Sequence, residues 1–414
     1  MLLTFAVLSL PLFAAAVPTA KEQLAFQSPD SAISDSTTRH VKGFSLDLDE
    51  LRLVQFSDDE PPVWISELEK IEAKANGQRF MDITDTPTLG FSSYFLPFAA
   101  PTKYLYPTPG KHAKEIKSLI KTLDIEHMKK FLNKFTSQVI DRVAQNTTNR
   151  VFRFRTRHYR SDTGKASQKF LLKTLKEVTA VHPGITVKEF PHPWGQNSII
   201  VRFAPANDSR QNEPVVIVGS HQDSTNSWPF LPAPGADDDA SGTTSSLEAL
   251  SALVHANFTP TTPLEFHFFS AEEGGLLGSQ AVAKSYEEKS INVLAMLQID
   301  MTAWVKQGVE ESVGIVQDYV DPALTEFIEK LVVKYLAIPP VKTQCSYACS
   351  DHASFSKAGF PSAFVIEAAF ENSNTRFVHS TQDTIDHPEF SFIHMQEFSK
   401  LAIAMAVELT GSKE

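Results

Sequence analysis

Five short segments of this chain carry side chains that could hold a metal ion, and most sit where an apolar, strand-like run ends. His221 and Asp223 lie in Ser220–Ser224, and Asp237, Asp238 and Asp239 lie in Gly235–Gly242. Glu272 and Glu273 lie in Ala271–Gly275, Asp300 in Leu297–Met301 and His379 in Val378–Thr381. This mixture of nitrogen and oxygen donors suits zinc, and the surplus of carboxylates suits two ions better than one. The chemistry that follows is metal-assisted hydrolysis.

Each segment also has a bland alternative. Three adjacent aspartates repel one another unless a cation or hydrogen bonds compensate, and one of them could bridge two ions about 3.5–4 Å apart. The competing reading is N-cap chemistry for the helix containing Leu247. In His221-x-Asp223 the carboxylate can orient the imidazole through its other nitrogen, whereas a lone histidine after a strand is more often a hydrogen-bonded core residue. Adjacent side chains on a turn diverge. One of Glu272 and Glu273 can therefore bind metal while the other serves as general base and then as general acid to a leaving amine. Spacing alone does not divide those tasks, and acidic pairs are also common on solvated surfaces. The chain has 13 histidines, and nothing in spacing selects His379 over the others, such as His352 in Ser350-Asp351-His352.

The elements that must position these residues alternate between strand and helix. Val215–Val218 is a near-continuous apolar run, as in a buried parallel strand, and 264–269, 293–297 and 363–366 read as further strands. Helical spacing marks Ile116–Leu123, Met128–Leu132, Phe170–Leu175 and Leu247–Val254. Asp321-Pro322 opens a helix with an N-cap and a first-turn proline, and 395–409 reads as a closing helix. This alternation predicts a three-layer α/β/α sandwich around a mixed, largely parallel sheet. Ligands in such sheets gather at the carboxyl ends of strands, and His221, the Glu272–Glu273 pair and Asp300 follow three different strands.

The formal net charge of the 414 residues is −11, which argues against a nucleic-acid partner. Residues 17–88 hold 7 Lys+Arg against 14 Asp+Glu, a net of −7, which leaves −4 for 89–414. Residues 1–16 are apolar and end in Ala14-Ala15-Ala16, as a signal peptide does. They fall short of the ~20 residues of a spanning helix, and Pro11 interrupts them, so secretion without stable membrane insertion is expected. Sequons at Asn146, Asn207 and Asn257 agree with export. Cys345 and Cys349 pair in an oxidising compartment, and so small a loop shapes its surroundings more than it stabilises the fold. Residues 17–45 are rich in Ser, Thr and Asp and read as loosely ordered, while Trp64, Leu68 and Ile71 have helical spacing. The expected organisation is a signal peptide over 1–16, an acidic propeptide over 17–88 and a catalytic domain over 89–414. A flexible N-terminal extension is the competing reading of the middle part.

Together the segments resemble the secreted two-zinc aminopeptidases, the leucine aminopeptidase type of fungi and bacteria, over about residues 90–410. The motifs that carry this are Gly235-Ala-Asp-Asp-Asp-Ala-Ser-Gly242, Ala271-Glu-Glu-Gly274, Cys345-Ser-Tyr-Ala-Cys-Ser-Asp-His352 and His379-Ser-Thr-Gln-Asp-Thr384. Leu53-Val-Gln-Phe-Ser-Asp-Asp-Glu60 and Asp82-Ile-Thr-Asp-Thr-Pro87 are similar to fungal propeptides of that family. The resemblance implies that Asp238 bridges two zinc ions, that His221 and Asp300 complete different ions, as do Glu273 and His379, and that Glu272 is the general base. It implies that Tyr347 donates to the developing oxyanion, that a non-proline cis peptide follows Asp238, and that Asp223 supports His221. Met301, Val316, Phe364, Ile366, Phe370 and Val378, with the Cys345–Cys349 wall, would form an apolar pocket for a large first residue such as leucine. The implied partner is a peptide with a free N-terminus, and the implied state is a monomeric zymogen. Three rivals stay open: another exopeptidase, a one-zinc glutaminyl cyclase on the same fold, and a non-catalytic secreted receptor-like domain. A carboxypeptidase would want a basic residue for the free carboxylate, and no Arg marks such a pocket.

Overall fold

A computed structural model describes residues 41–91, 104–136, 138–139, 151–152 and 154–412. The expected signal peptide, residues 17–40 and the sequon at Asn146 lie outside the described residues.

From residue 41 onward the N-terminal part is ordered, which corrects the loose reading of 41–45. Phe44 bridges to Ser161, and Leu46 and Leu48 are buried with Ile71, Trp228 and Phe230, with Val41 and Phe44 packed against them. Apolar burial outweighs the polar composition there. Strands β1 (Leu51–Gln55), β2 (Val63–Ser66) and β3 (Met81–Asp82) form an antiparallel sheet in the order β2-β1-β3. Helix α1 (Glu67–Ala75) follows β2 directly. Trp64 therefore lies in a strand, 60% exposed, and does not extend the helical stripe of Leu68 and Ile71. Ser66 and Glu69 form a capping box that starts the helix at Glu67.

Beneath α1 lies a buried ionic cluster. Arg52 Nε and Lys70 Nζ meet Asp82 Oδ2 at 2.8 and 2.9 Å, and Lys70 also meets Glu67 at 2.8 Å. Burial opposes the charge on Asp82, but Lys70 and Arg52 outweigh it and bring its pKa from 3.8 to about 2. A folded-state pKa below the unfolded one contributes stability that is present above the unfolded value and lost as pH falls through about 2. Asp82→Asn is expected to cost about 2–3 kcal/mol at pH 7, and the gap to wild type should close between about pH 4 and 2. Chemical denaturation at several pH values checks this, and equal stability at pH 7 would overturn it. The same segment is tied to the body through Asp82 N, which donates to Gly275 O at 3.1 Å, and Thr86 Oγ1, which donates to Gln280 Oε1 at 2.8 Å.

Downstream come α2 (Ala113–Ile120), α3 (Ile125–Thr136), the short pair β4 (Gln138–Val139) and β5 (Val151–Phe152), and α4 (Asp162–Thr179). The central sheet then follows. Its strands are β6 (Ile185–Phe190), β7 (Ser198–Phe203), β8 (Val215–His221), β9 (Leu264–Phe269), β10 (Val293–Ile299), β11 (Val313–Val316), β12 (Pro340–Thr343) and β13 (Ser362–Ile366). Their order is β12-β11-β13-β10-β8-β9-β7-β6. The central four, β13, β10, β8 and β9, are mutually parallel, while β6, β7 and β11 join by antiparallel pairings. Helices α5 (Ala240–His255), α6 (Leu277–Glu288), α7 (Pro322–Tyr335), α8 (His352–Lys357) and α9 (Phe392–Thr410) complete the chain.

The apolar run of β8 serves both faces of the sheet. Val216 and Val218 point into the core built with α2–α5, α7 and α9, and Val215 and Ile217 point into the one built with α6 and α8. That period-two division is why a parallel strand covered on both sides lacks polar alternation. The expected three-layer sandwich is present. At its centre α5 is buried almost along its whole length, and its N-terminus points at the strand ends that carry the candidate ligands.

Candidate metal centre and its cavity

Three central strands deliver their residues to one edge. His221 ends β8, Glu272 and Glu273 lie just past β9, and Asp300 directly follows β10. Asp238 is their meeting point. Its Oδ1 lies 3.1 Å from His221 Nε2, and Asp300 Oδ1 lies 3.5 Å from that nitrogen. Its Oδ2 lies 3.0 Å from His379 Nε2, which is 3.0 Å from Glu273 Oε2. Two triads result, His221–Asp238–Asp300 and Asp238–Glu273–His379, each with donor atoms within 4.8 Å of one another, so His221 shares a set with Asp300 and Glu273 with His379, where the resemblance implied different ions for each pair.

The chemistry of these atoms fits a cation. Both ring nitrogens of His221, Glu273 Oε1 and Asp300 Oδ1 are buried without a hydrogen-bond partner. Such atoms are costly unless something satisfies them, and imidazole with carboxylate is a zinc donor set. Burial opposes a charge on either histidine, yet the carboxylates win and raise His379 to about 9 and His221 well above its usual range. The field at this edge favours positive charge.

The three aspartates divide the work that the sequence left open. Asp238 faces both triads. Asp239 caps α5 by accepting from Gly242 N at 2.8 Å, and also accepts from His221 N at 3.0 Å and Met301 N at 3.1 Å. Asp237 turns the other way, accepting from Ala303 N and Asn374 Nδ2. N-cap chemistry and ligation are thus both present, on adjacent residues. The Asp238–Asp239 peptide is cis.

Three further side chains hold the ligand loops in register. The Asp223 carboxylate lies 3.4 Å from His221 Nδ1 and accepts from the backbone N–H groups of Glu272 and Glu273, both at 3.2 Å. Asp383 accepts from Asp237 N at 2.9 Å and Asp238 N at 3.1 Å. Arg157 is fully buried and donates to the carbonyl oxygens of Gln222, Pro234 and Gly235, joining the loop after β8 to the one that carries Asp238. Gly235 has φ +54, and a Cβ there would stand 2.4 Å from Ser224 Cβ, so this loop has no room for a side chain. Ala271, Met301 and His379, each on or beside a ligand segment, also adopt left-handed backbone, with φ of 57, 50 and 55. Sequence reasoning gave no role to Arg157 or Asp383, and its N-cap reading of the triplet did not single out Asp239. Their contacts span up to 146 residues of chain, and the one local signal was Asp383 inside the His379–Thr384 motif.

An open cavity of about 130 Å³ adjoins the triads. Glu272 and Tyr347 line it, with Met301, Phe364, Ile366, Phe370 and Val378 as its apolar wall. Val316 is placed differently from the expectation. It is fully buried behind that wall, packed with Cys345, Phe364 and Ile366, because the inward face of β11 is covered by its neighbours. Cys345 and Cys349 form a disulfide, and Asp318 accepts from the N–H groups of Cys345 and Ser346, which fixes the loop bearing Tyr347. Burial pushes the Tyr347 phenol up to about 12, so it is a donor at neutral pH. Lys74, Gln78, Arg79 and Phe80 of the N-terminal segment line the cavity from the other side.

Comparison with known proteins agrees with this geometry. The model of peptidase family M28 matches residues 198–405, the span that contains both triads. Leucine aminopeptidase 1 of Grosmannia clavigera is 45% identical over 362 residues, covering 84% of this chain and 82% of that one. The LapA aminopeptidase of Legionella pneumophila has a TM-score of 0.72 at 24% identity, over 88% of this chain and 95% of that one, a likeness of fold. A glutaminyl cyclase of Bacteroides thetaiotaomicron, with TM-score 0.51 at 15% identity over 69% and 97%, has the same fold, so fold alone does not decide the reaction. Family match, close relatives and site agree: the chain belongs to peptidase family M28 and is a hydrolase of the aminopeptidase type.

Proposed function

We propose that this chain is a secreted aminopeptidase that works with two zinc ions and removes leucine and other large hydrophobic residues from peptides with a free N-terminus. We also propose that it is made as a precursor, with 1–16 as signal peptide, 17–88 as propeptide and 89–414 as catalytic domain. The observation that carries the reading is Asp238, whose two oxygens face separate histidine–carboxylate sets beside Glu272 and an apolar cavity. Exposed Asn207 and Asn257 support export, and among the described residues no helix is long and apolar enough to cross a membrane.

His221, Asp238 and Asp300 would hold one zinc, and Asp238, Glu273 and His379 the other. Bound there, zinc supplies Lewis acidity and lowers the pKa of a coordinated water. Glu272 accepts a proton at its carboxylate and returns it to the leaving nitrogen. Burial first, and nearby carboxylates such as Glu273 after it, push its pKa up, while His221 opposes them. The Tyr347 hydroxyl donates to the carbonyl oxygen as charge develops on it. Met301, Phe364, Ile366, Phe370 and Val378 exclude water from the first side chain, with Val316 backing them.

A panel of aminoacyl anilides with and without chelator, run beside metal analysis by mass spectrometry, tests this. Expected are about two zinc ions per chain, fastest release from the leucine anilide, loss of activity on chelation with recovery on adding zinc, and no release from N-acetylleucine anilide. A metal-free active protein, or cleavage of the acetylated substrate, would overturn the reading.

A further inference from the structure

Lys74 reaches from the last turn of α1 into the metal centre. Its ammonium donates to Glu273 Oε2 at 2.6 Å and to the Glu273 carbonyl oxygen at 2.7 Å. Oε2 is also the oxygen that lies 3.0 Å from His379 Nε2, so it is the atom this glutamate turns toward its triad. Lys70 and Lys74 share one face of α1, four residues apart. Lys70 is used by Glu67 and Asp82 in the buried cluster that seats the helix, and that seating aims Lys74 at Glu273. Around it the same segment lines the cavity. The Arg79 guanidinium stands 5.1 Å over the Tyr347 ring, and Gln78 and Phe80 stand beside it.

The contact is lopsided. Among the described residues, His221, Asp238 and Asp300 take no hydrogen bond or ion pair from residues 41–91, and Glu273 takes both of those from Lys74. An ammonium 2.6 Å from one oxygen of this carboxylate and a dication bound to the same carboxylate are like charges at close range and repel strongly, whichever oxygen the ion takes. We propose that Lys74 is a built-in competitor for the cation position of the Asp238–Glu273–His379 triad. The docked segment then weakens the zinc equivalent at that triad far more than the other, and zinc at that triad loosens the segment in return. The inference rests on the two-zinc reading and names a regulation of that site. Reciprocity is obligatory: whatever Lys74 costs the ion, the ion costs the docking of α1.

The test uses the full chain, wild type and Lys74→Met, titrated with zinc against a chelator. The first equivalent is expected to bind equally in both, and the second at least about tenfold more tightly in the variant. A second equivalent that is unchanged or weaker in Lys74→Met overturns the inference, the weaker case making Lys74 a support for Glu273. Hydrogen exchange of residues 67–75 in the wild type supplies a measurement that does not depend on the variant folding. Saturating zinc should speed exchange there, and unchanged or slower exchange overturns the inference. Two tight equivalents indifferent to Lys74 would leave the metallopeptidase reading standing, whereas no zinc binding by either protein would remove both.

Discussion

Replacing Glu272 with Ala is expected to lower kcat on leucine anilide by about 10²–10⁴-fold while zinc content stays at the wild-type value. Glu272 belongs to neither triad, yet its carboxylate lines the cavity beside them. Its backbone N–H is held by Asp223, so removing the side chain leaves the position of Glu273 intact. Glu272→Asp, with a shorter reach, should retain a small part of the rate. Two measurements decide the matter, kcat and metal per chain. An active Glu272→Ala enzyme would end its role as proton carrier, and joint loss of zinc and activity would move it into the ligand set.

Asp238→Ala should do the opposite, removing metal and activity together. Because one carboxylate serves both triads, both zinc equivalents should weaken, and kcat/KM should fall by more than about 10³-fold. Stability gives a readout independent of turnover. Zinc at a hundred times its Kd adds about 2.7 kcal/mol to a protein that binds it only when folded, and the variant should lose most of that increment. Asp238→Asn separates charge from shape, since it keeps the side-chain volume, and both variants keep the backbone N–H that donates to Asp383. If either variant kept one zinc at wild-type affinity, Asp238 would serve a single triad.

Much of this molecule was legible in the sequence because its signals are local. The run Val215–Val218 reads as a strand covered on both faces, and the residues that follow three such strands necessarily share an edge. Asp321-Pro322 marks a helix start, and Asp321 caps α7 by accepting from Leu324 N. Trp64 shows the limit. Its spacing to Leu68 is helical, but Ser66 and Glu69 form a capping box, a stronger signal that was equally visible and starts the helix later. Spacing left the roles within Asp237–Asp239 open, and resemblance alone named Asp238, because partners on three other loops hold Asp237 and Asp239. Val316 was placed on the cavity wall by analogy of position, and one layer of packing separates it from that wall. Lys74 gave no signal at all. A lysine near the end of an amphipathic helix reads as a solvated charge until the helix is docked.

The carboxylates of Asp223, Asp239 and Asp383 each accept from the backbone N–H of a residue that itself faces the centre. This sets the size of the unit that would have to be moved if the centre were grafted onto another scaffold. Copying five donor side chains would carry over the identities without the frame that fixes their spacing. A working transplant needs the three carboxylates and the Arg157 staple as well, together with a loop as tight as the one at Gly235. The portable object is a lattice of loops, with the donors as its most visible knots.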